Sequence, residues 1–312
     1  AAGTEVAYDQ LLLRACDRPV FMAGSAAVPE NPVRYEVTEY EHLFSGLLGR
    51  DGGSVGIWEA SFDRGTGALS GYRLDGSELI AEPLMPCFSR APVENDMGAR
   101  IHEALGVWRY PEFEVKSMTV QQQDDGYSVR VVYLPVANGA ATVEMSYRIH
   151  PDGSIAGIEA MKDADGKLSE APDLFRFGMT FTMPGTYSTV DFYGKGPWEN
   201  YCDRNSGALV GRYTQSVNEQ YHYGYVRTQE SGTKTGLRYF RLLDSDGSGL
   251  EITSDEKFSA SALPFSIAML DCVEHGTPQR QIPRTFRPVK PAIPSISRRL
   301  PMKTIGRTAR PM

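Results

Sequence analysis

The chain has 312 residues, of which 41% are hydrophobic and 23% charged, and a formal charge of −7. That composition excludes a wholly disordered or collagen-like chain and leaves room for one large domain or two ordinary ones. No apolar run reaches the ~18 residues a membrane-spanning helix needs, and the acidic balance gives no global reason to bind nucleic acid or anionic lipid, so neither partner is expected.

The first residues, AAGTEVAYDQ, lack an initiator Met and the basic and apolar regions of a signal peptide, so they read as an internal start. A cytoplasmic and a periplasmic location stay equally open. Residues 1–16 read as the last strand of a preceding domain, centred on Glu5–Arg14 (EVAYDQLLLR). Residues 17–32 carry three prolines and read as a linker.

From residue 33 to 272 the pattern is strand after strand. Val55–Phe62, Phe113–Val120, Tyr127–Leu134, Ala141–Ile149 and Leu174–Met183 are rich in Val, Thr and aromatics and alternate with period two. Turn signals separate them at Asp63–Gly67, Asp124–Gly126, Asp152–Gly153, Ala164–Gly166 and Asp244–Gly249. The spacing of about ten residues predicts an all-β fold, a sandwich of antiparallel sheets. One short helix is predicted at Met97–Val107, with Asn95 or Asp96 as its N-cap.

Residues 273–312 break the pattern. They hold nine Lys/Arg against one acid, seven prolines and a single aromatic, Phe286. The −7 is therefore a body of −15, with 23 bases and 38 acids, joined to a tail of +8. Such a tail is expected to stay outside the sheets.

Metal and cofactor signals are missing from the sequence. Cys16, Cys87, Cys202 and Cys272 are scattered and read as buried free thiols. His42, His102, His150, His222 and His275 form no HxH or HExxH pattern, and Gly194–Gly196 (GKG) is no dinucleotide fingerprint. No metal and no cofactor are expected.

Two polar clusters stand out, Ser89–Gly98 (SRAPVENDMG) and Gly194–Arg204 (GKGPWENYCDR). Retaining glycoside hydrolysis needs two carboxyl groups about 5–5.5 Å apart. Glu94, Asp96, Glu199 and Asp203 are available, but loop carboxylates more often satisfy backbone groups or pair with neighbours, here Arg90 and Arg204. Trp198, near Tyr201, Tyr221, Tyr223 and Tyr225, makes an aromatic patch suited to a sugar face, or equally to a core.

The same clusters carry a resemblance. Pro83–Gly98, Tyr193–Arg204, Thr228–Arg238 and Phe258–Ser266 resemble, in order, the C-terminal sandwich domain of glycoside hydrolase family 2 β-galactosidases, also called the β-galactosidase small chain. Ala7–Leu13 is similar to the final strand of the immunoglobulin-like domain that precedes it there. The resemblance implies a large supersandwich of galactose mutarotase-like fold. It also implies that the catalytic glutamates sit in an upstream barrel, so no residue of this chain is catalytic and the chain alone is inactive.

The expected partners are the remaining domains of a β-galactosidase and, weakly, a β-galactoside or galactose. The expected carbohydrate-facing residues are Arg90, Asp96, Trp198, Glu199, Asn200, Asp203, Arg204, Glu230 and Arg238. A stand-alone carbohydrate-binding or mutarotase-like module is the alternative, and a complementing subunit a third reading. The family's closing GGDxSW-like motif is absent, since Trp58, Trp108 and Trp198 all lie earlier. The closing strands are therefore expected to be missing, with residues 273–312 foreign to the domain through a shifted frame, a truncated gene or a divergent tail. Open sheet edges would then favour marginal stability or a homo-oligomer.

Overall fold

The computed structural model describes residues 8–11, 13, 32–49, 55–134 and 136–271 in full, and the backbone of 293–297 and 300–305. The strand expected at Glu5–Arg14, the linker at 17–32, Cys16 and Cys272 lie wholly or largely outside the described residues.

The first sheet contains β1 (Arg34–Val37), β2 (Glu41–Gly49), β3 (Val55–Asp63), β4 (Leu69–Leu74) and β5 (Ser77–Glu78), with β6 (Glu82–Cys87) touching β4. A four-stranded meander follows, β7 (Val115–Gln123), β8 (Gly126–Tyr133), β9 (Ala141–Ile149) and β10 (Ile155–Asp163). β11 (Gly178–Thr182) pairs with β6. β12 (Thr189–Gly196) lies between β13 (Leu209–Ser216) and β14 (Lys234–Leu243), and β14 pairs with the long β15 (Gly249–Leu263). Every one of these pairings is antiparallel. The chain is an all-β antiparallel sandwich.

Alternation in the sequence becomes alternation in burial. Along β9 every second residue is buried (Ala141, Val143, Met145, Tyr147 and Ile149), and along β12 the buried set is Val190, Phe192, Gly194 and Gly196. A one-residue slip would turn each set to solvent, so burial fixes the register. The two layers are joined across the core. Phe62 of β3 packs edge-on against Tyr147 of β9 at 5.0 Å. Trp58 donates through Nε1 to the Pro151 carbonyl at 3.0 Å, and the Tyr72 hydroxyl donates to the Gly153 carbonyl at 2.6 Å. Gly153 has φ of 80°, and a Cβ there would meet the Trp58 ring at 2.6 Å. The Asp–Gly turn and the core tryptophan are thus one feature.

Three expectations need correction. The single helix at Met97–Val107 is instead two short helices, α1 (Glu94–Gly98) and α2 (Ile101–Ala104), followed by a 3₁₀ turn at Gly106–Trp108. Arg100 between them takes a left-handed φ of 55°, which no continuous helix tolerates. Neither Asn95 nor Asp96 is the N-cap, because Val93 holds that place. Cys87 is a buried free thiol as expected, but Cys202 is exposed.

The third correction concerns the tail. Backbone at Ile293–Ser297 (β16) pairs with β11 and with Ser259–Leu263 of β15. Backbone at Leu300–Ile305 (β17) pairs with β10 and with Gly249–Ile252 of β15. These two segments therefore occupy sheet positions expected to be empty. They are where Ile, Leu and Met gather in the tail, and an average over forty basic, proline-rich residues hides two such short runs.

Candidate functional site

Three loops carry most of the residues singled out in the sequence: Ser89–Val93 after β6, Pro197–Ala208 after β12, and Tyr221–Thr233 before β14. They are stitched together through their backbones. The Asn200 N–H donates to the Thr233 carbonyl at 2.8 Å, and the Glu230 N–H donates to the Ala91 carbonyl at 3.2 Å. Arg227 lies 2.8 Å from the Glu94 carboxylate, tying the third loop to α1.

Glu199 is the centre of this cluster. Its carboxylate accepts from Arg204 at 2.8 Å, from the Ser231 hydroxyl at 3.0 Å, from the Gly232 N–H at 2.9 Å and from the Tyr225 hydroxyl. Burial works against its charge, but the bonds from Tyr225, Gly232, Ser231 and Arg204 outweigh it and hold the carboxyl below the usual glutamate range. Asn200 is buried and fully used. Its amide donates to the Lys195 and Trp198 carbonyls at 2.9 and 3.0 Å and accepts from the Thr235 N–H and hydroxyl.

The other carboxylates are paired as well. Asp96 receives a bidentate bond from Arg90 at 2.5 and 3.0 Å and caps the Val93 N–H at 2.8 Å. The Arg90 guanidinium also lies over the Phe175 ring, 5.3 Å from its centre. Glu230 is buried against Arg176 at 2.8 Å and accepts from the Thr233 hydroxyl at 3.0 Å. Glu199, Asp96 and Glu230 each carry an arginine partner, and these pairs hold the carboxylates in fixed positions.

Trp198 behaves differently from its neighbours. It is 77% exposed, while Trp58 and Trp108 are buried to within 1%. Its carbonyl is held by Asn200 and the next residue is Glu199, so an exposed indole stands on an immobilised backbone. The tyrosines expected beside it divide. Tyr225 joins Glu199, while Tyr221 is buried against Tyr223 and Phe265 at 4.9 and 5.1 Å. Tyr201 sits under the cluster with its hydroxyl buried and without a hydrogen-bond partner among the described residues.

Arg90, Trp198, Glu199, Asn200, Arg204 and Glu230 thus lie on one set of connected loops, and Asp96 joins them from α1 through Arg90. Asp203 is exposed and has no hydrogen-bond or ion-pair partner among the described residues. Arg238 stands apart on β14, over the Tyr193 ring at 4.9 Å and donating to the Gly236 carbonyl at 2.8 Å. Sequence reasoning missed Lys234, Ser231 and Arg176 as members of the network, and had Tyr225 only as part of an aromatic patch. Lys234 is 2% exposed, donates to the Gly232 carbonyl at 3.1 Å and lies 5.8 Å from the centre of the Phe192 ring. Burial lowers its ammonium to about 8, with nearby Glu199 opposing the shift. The signal available for Lys234 was its place in TQESGTKTGLR, one polar residue among many. Among the described residues no group of three or more His, Cys, Asp or Glu side chains could hold a metal ion.

Comparison with known proteins agrees on one family. The beta galactosidase small chain family matches residues 54–286. A β-galactosidase of Priestia megaterium is 32% identical over 278 residues, covering 88% of this chain and 25% of the relative. One of Halalkalibacterium halodurans is 30% identical over 69% of this chain and 21% of the relative, and one of Vibrio cholerae 29% identical over 87% and 27%. The chain spans about a quarter of the length of the relatives it matches. The paired loop carboxylates, the exposed tryptophan and the antiparallel sandwich are therefore features of a protein that belongs to the β-galactosidase small chain family.

Proposed function

We propose that this chain supplies the sandwich region of a β-galactosidase, of galactose mutarotase-like fold, and acts beside a sugar site whose catalytic carboxylates come from the rest of such an enzyme. The reading is supported by one observation above the others. Trp198 is an exposed aromatic face on a backbone immobilised by Asn200 and Glu199, and such faces stack on the apolar side of pyranose rings. Arg204, paired with the neighbouring Glu199, and the exposed Asp203 share its loop and are the proposed polar contacts, while Asp96, Glu230 and Arg90 hold the loops in place. The paired state of the loop carboxylates fits a supporting role better than acid–base catalysis, which uses a carboxyl poised near neutral pH. The remaining domains of a β-galactosidase are the proposed partners, and a β-galactoside or galactose the proposed ligand.

The buried state of Trp58 and Trp108 makes the test specific, since sugar contact alters the fluorescence of Trp198 alone. Titration with galactose and with lactose is expected to give saturable quenching or enhancement at millimolar sugar, lost in Trp198→Ala. Calorimetric silence together with unchanged fluorescence at those concentrations contradicts the sugar-facing reading and leaves the family assignment untouched.

A further inference from the structure

The outer edge of β13 is met by a stretch of chain far away in sequence. β13 pairs with β12 on one side, and among the described residues no strand pairs with its other side. At Val210 that free edge is filled by a side chain. The Gln10 amide donates to the Val210 carbonyl at 2.9 Å, and its own carbonyl oxygen accepts from the Val210 N–H at 2.5 Å. Three residues earlier in the loop, the Tyr8 hydroxyl donates to the Gly207 carbonyl at 2.7 Å. The contact spans 200 residues of sequence.

The chemistry of this contact is selective. One residue of an antiparallel edge presents an N–H and a C=O in the same direction, and a neighbouring strand normally answers both. Among side chains only a carboxamide offers a donor and an acceptor at that separation. Glutamine has the reach, and glutamate has no donor. Edge strands left bare are templates for pairing with other chains, so covering them has a physical purpose.

We propose that the free edge of β13 is an intramolecular docking site for the segment Tyr8–Leu11, read by the Gln10 carboxamide, which fastens the chain preceding the sandwich to the Pro197–Ala208 loop. The proposal does not depend on sugar binding. Tyr8 and Gln10 act on the edge and on the end of the loop, while Trp198 and Glu199 lie at its beginning.

Amide hydrogen exchange of the whole chain tests it. Gln10 is exposed, so its replacement leaves the core untouched. In Gln10→Met, which keeps the length and loses both polar atoms, Val210 is expected to exchange about tenfold faster, the scale of one lost hydrogen bond. Gln10→Glu keeps the acceptor and is expected to fall between Gln10→Met and the parent. Leu11→Ala, which removes an 83% exposed side chain, is expected to leave Val210 unchanged. Equal exchange of Val210 in the parent and Gln10→Met overturns the proposal. Protection that persists in Gln10→Met and rises with protein concentration also overturns it, by assigning the edge to a second copy.

Discussion

Carboxyl groups drawn largely out of solvent are treated in opposite ways in two regions of this molecule. In the loop cluster Glu199 and Glu230 are surrounded by donors, two of them cationic. In the β7–β10 wall Glu159 of β10 is buried with both carboxyl oxygens lacking a hydrogen-bond partner among the described residues. The buried hydroxyls of Tyr133 and Tyr147 also have no hydrogen-bond partner among the described residues. Burial alone pushes Glu159 up to about 9, so it is neutral at physiological pH, while Glu199 is held ionised.

The difference follows from the backbone. A strand inside a sheet spends its N–H groups on its neighbours, as β10 does with β9, and has none left for a side chain. A loop keeps spare N–H groups, and Gly232 and Val93 donate theirs to Glu199 and Asp96. Glu199 is therefore stable as a carboxylate in its loop, and on the inner face of the wall Glu159 retains its proton instead.

Breaking the loop network has the largest expected effect. Glu230→Ala leaves Arg176 without its 2.8 Å partner in a buried setting. Removing one member of such a pair costs about 3–5 kcal/mol. Denaturant unfolding checks the figure, and a loss below about 1 kcal/mol would show that Arg176 finds water or another partner.

Removing the unpartnered acid has the opposite sign. Glu159→Met, similar in volume and without a charge to desolvate, is expected to stabilise the chain by about 2–4 kcal/mol at pH 8. The pH course sharpens the contrast. Because the folded value of about 9 lies above the unfolded 4.5, the stability tied to neutral Glu159 is complete below pH 4.5 and declines as pH rises towards 9. The slope approaches about 1.4 kcal/mol per pH unit across that window. Unfolding free energies at pH 5 and pH 8 should converge in Glu159→Met relative to the parent, and identical pH courses would place a hydrogen-bond donor at Glu159.

Much of the fold was legible because burial and sequence share a period. Ala141–Ile149 reads as a strand and is β9 to the residue, and the Asp–Gly turns fall where positive φ is needed, as at Gly153. The candidate loops were legible as text, since RAPVENDMG and GKGPWENYCDR are dense in residues that cap, pair and turn. Their wiring was not. Glu199 meets Tyr225, Ser231 and Gly232 only because β12 and β14 lie side by side, and no local rule encodes that meeting. Glu159 looked like any polar residue of an alternating strand, and its burial depends on what packs over that face. The tail strands were hidden by composition, because pairing asks only for a few residues with free backbone and modest apolar content.

The proposed role as the sandwich region of a β-galactosidase is tested most directly by a chromogenic β-galactoside assay of the purified chain. The assay is run on the chain alone, on the preceding domains of a relative such as the Priestia megaterium β-galactosidase alone as the blank, and on the two mixed. The account predicts no turnover from the chain alone and hydrolysis on mixing. Enzyme-like turnover by the chain alone, or none after the two parts associate, would contradict it.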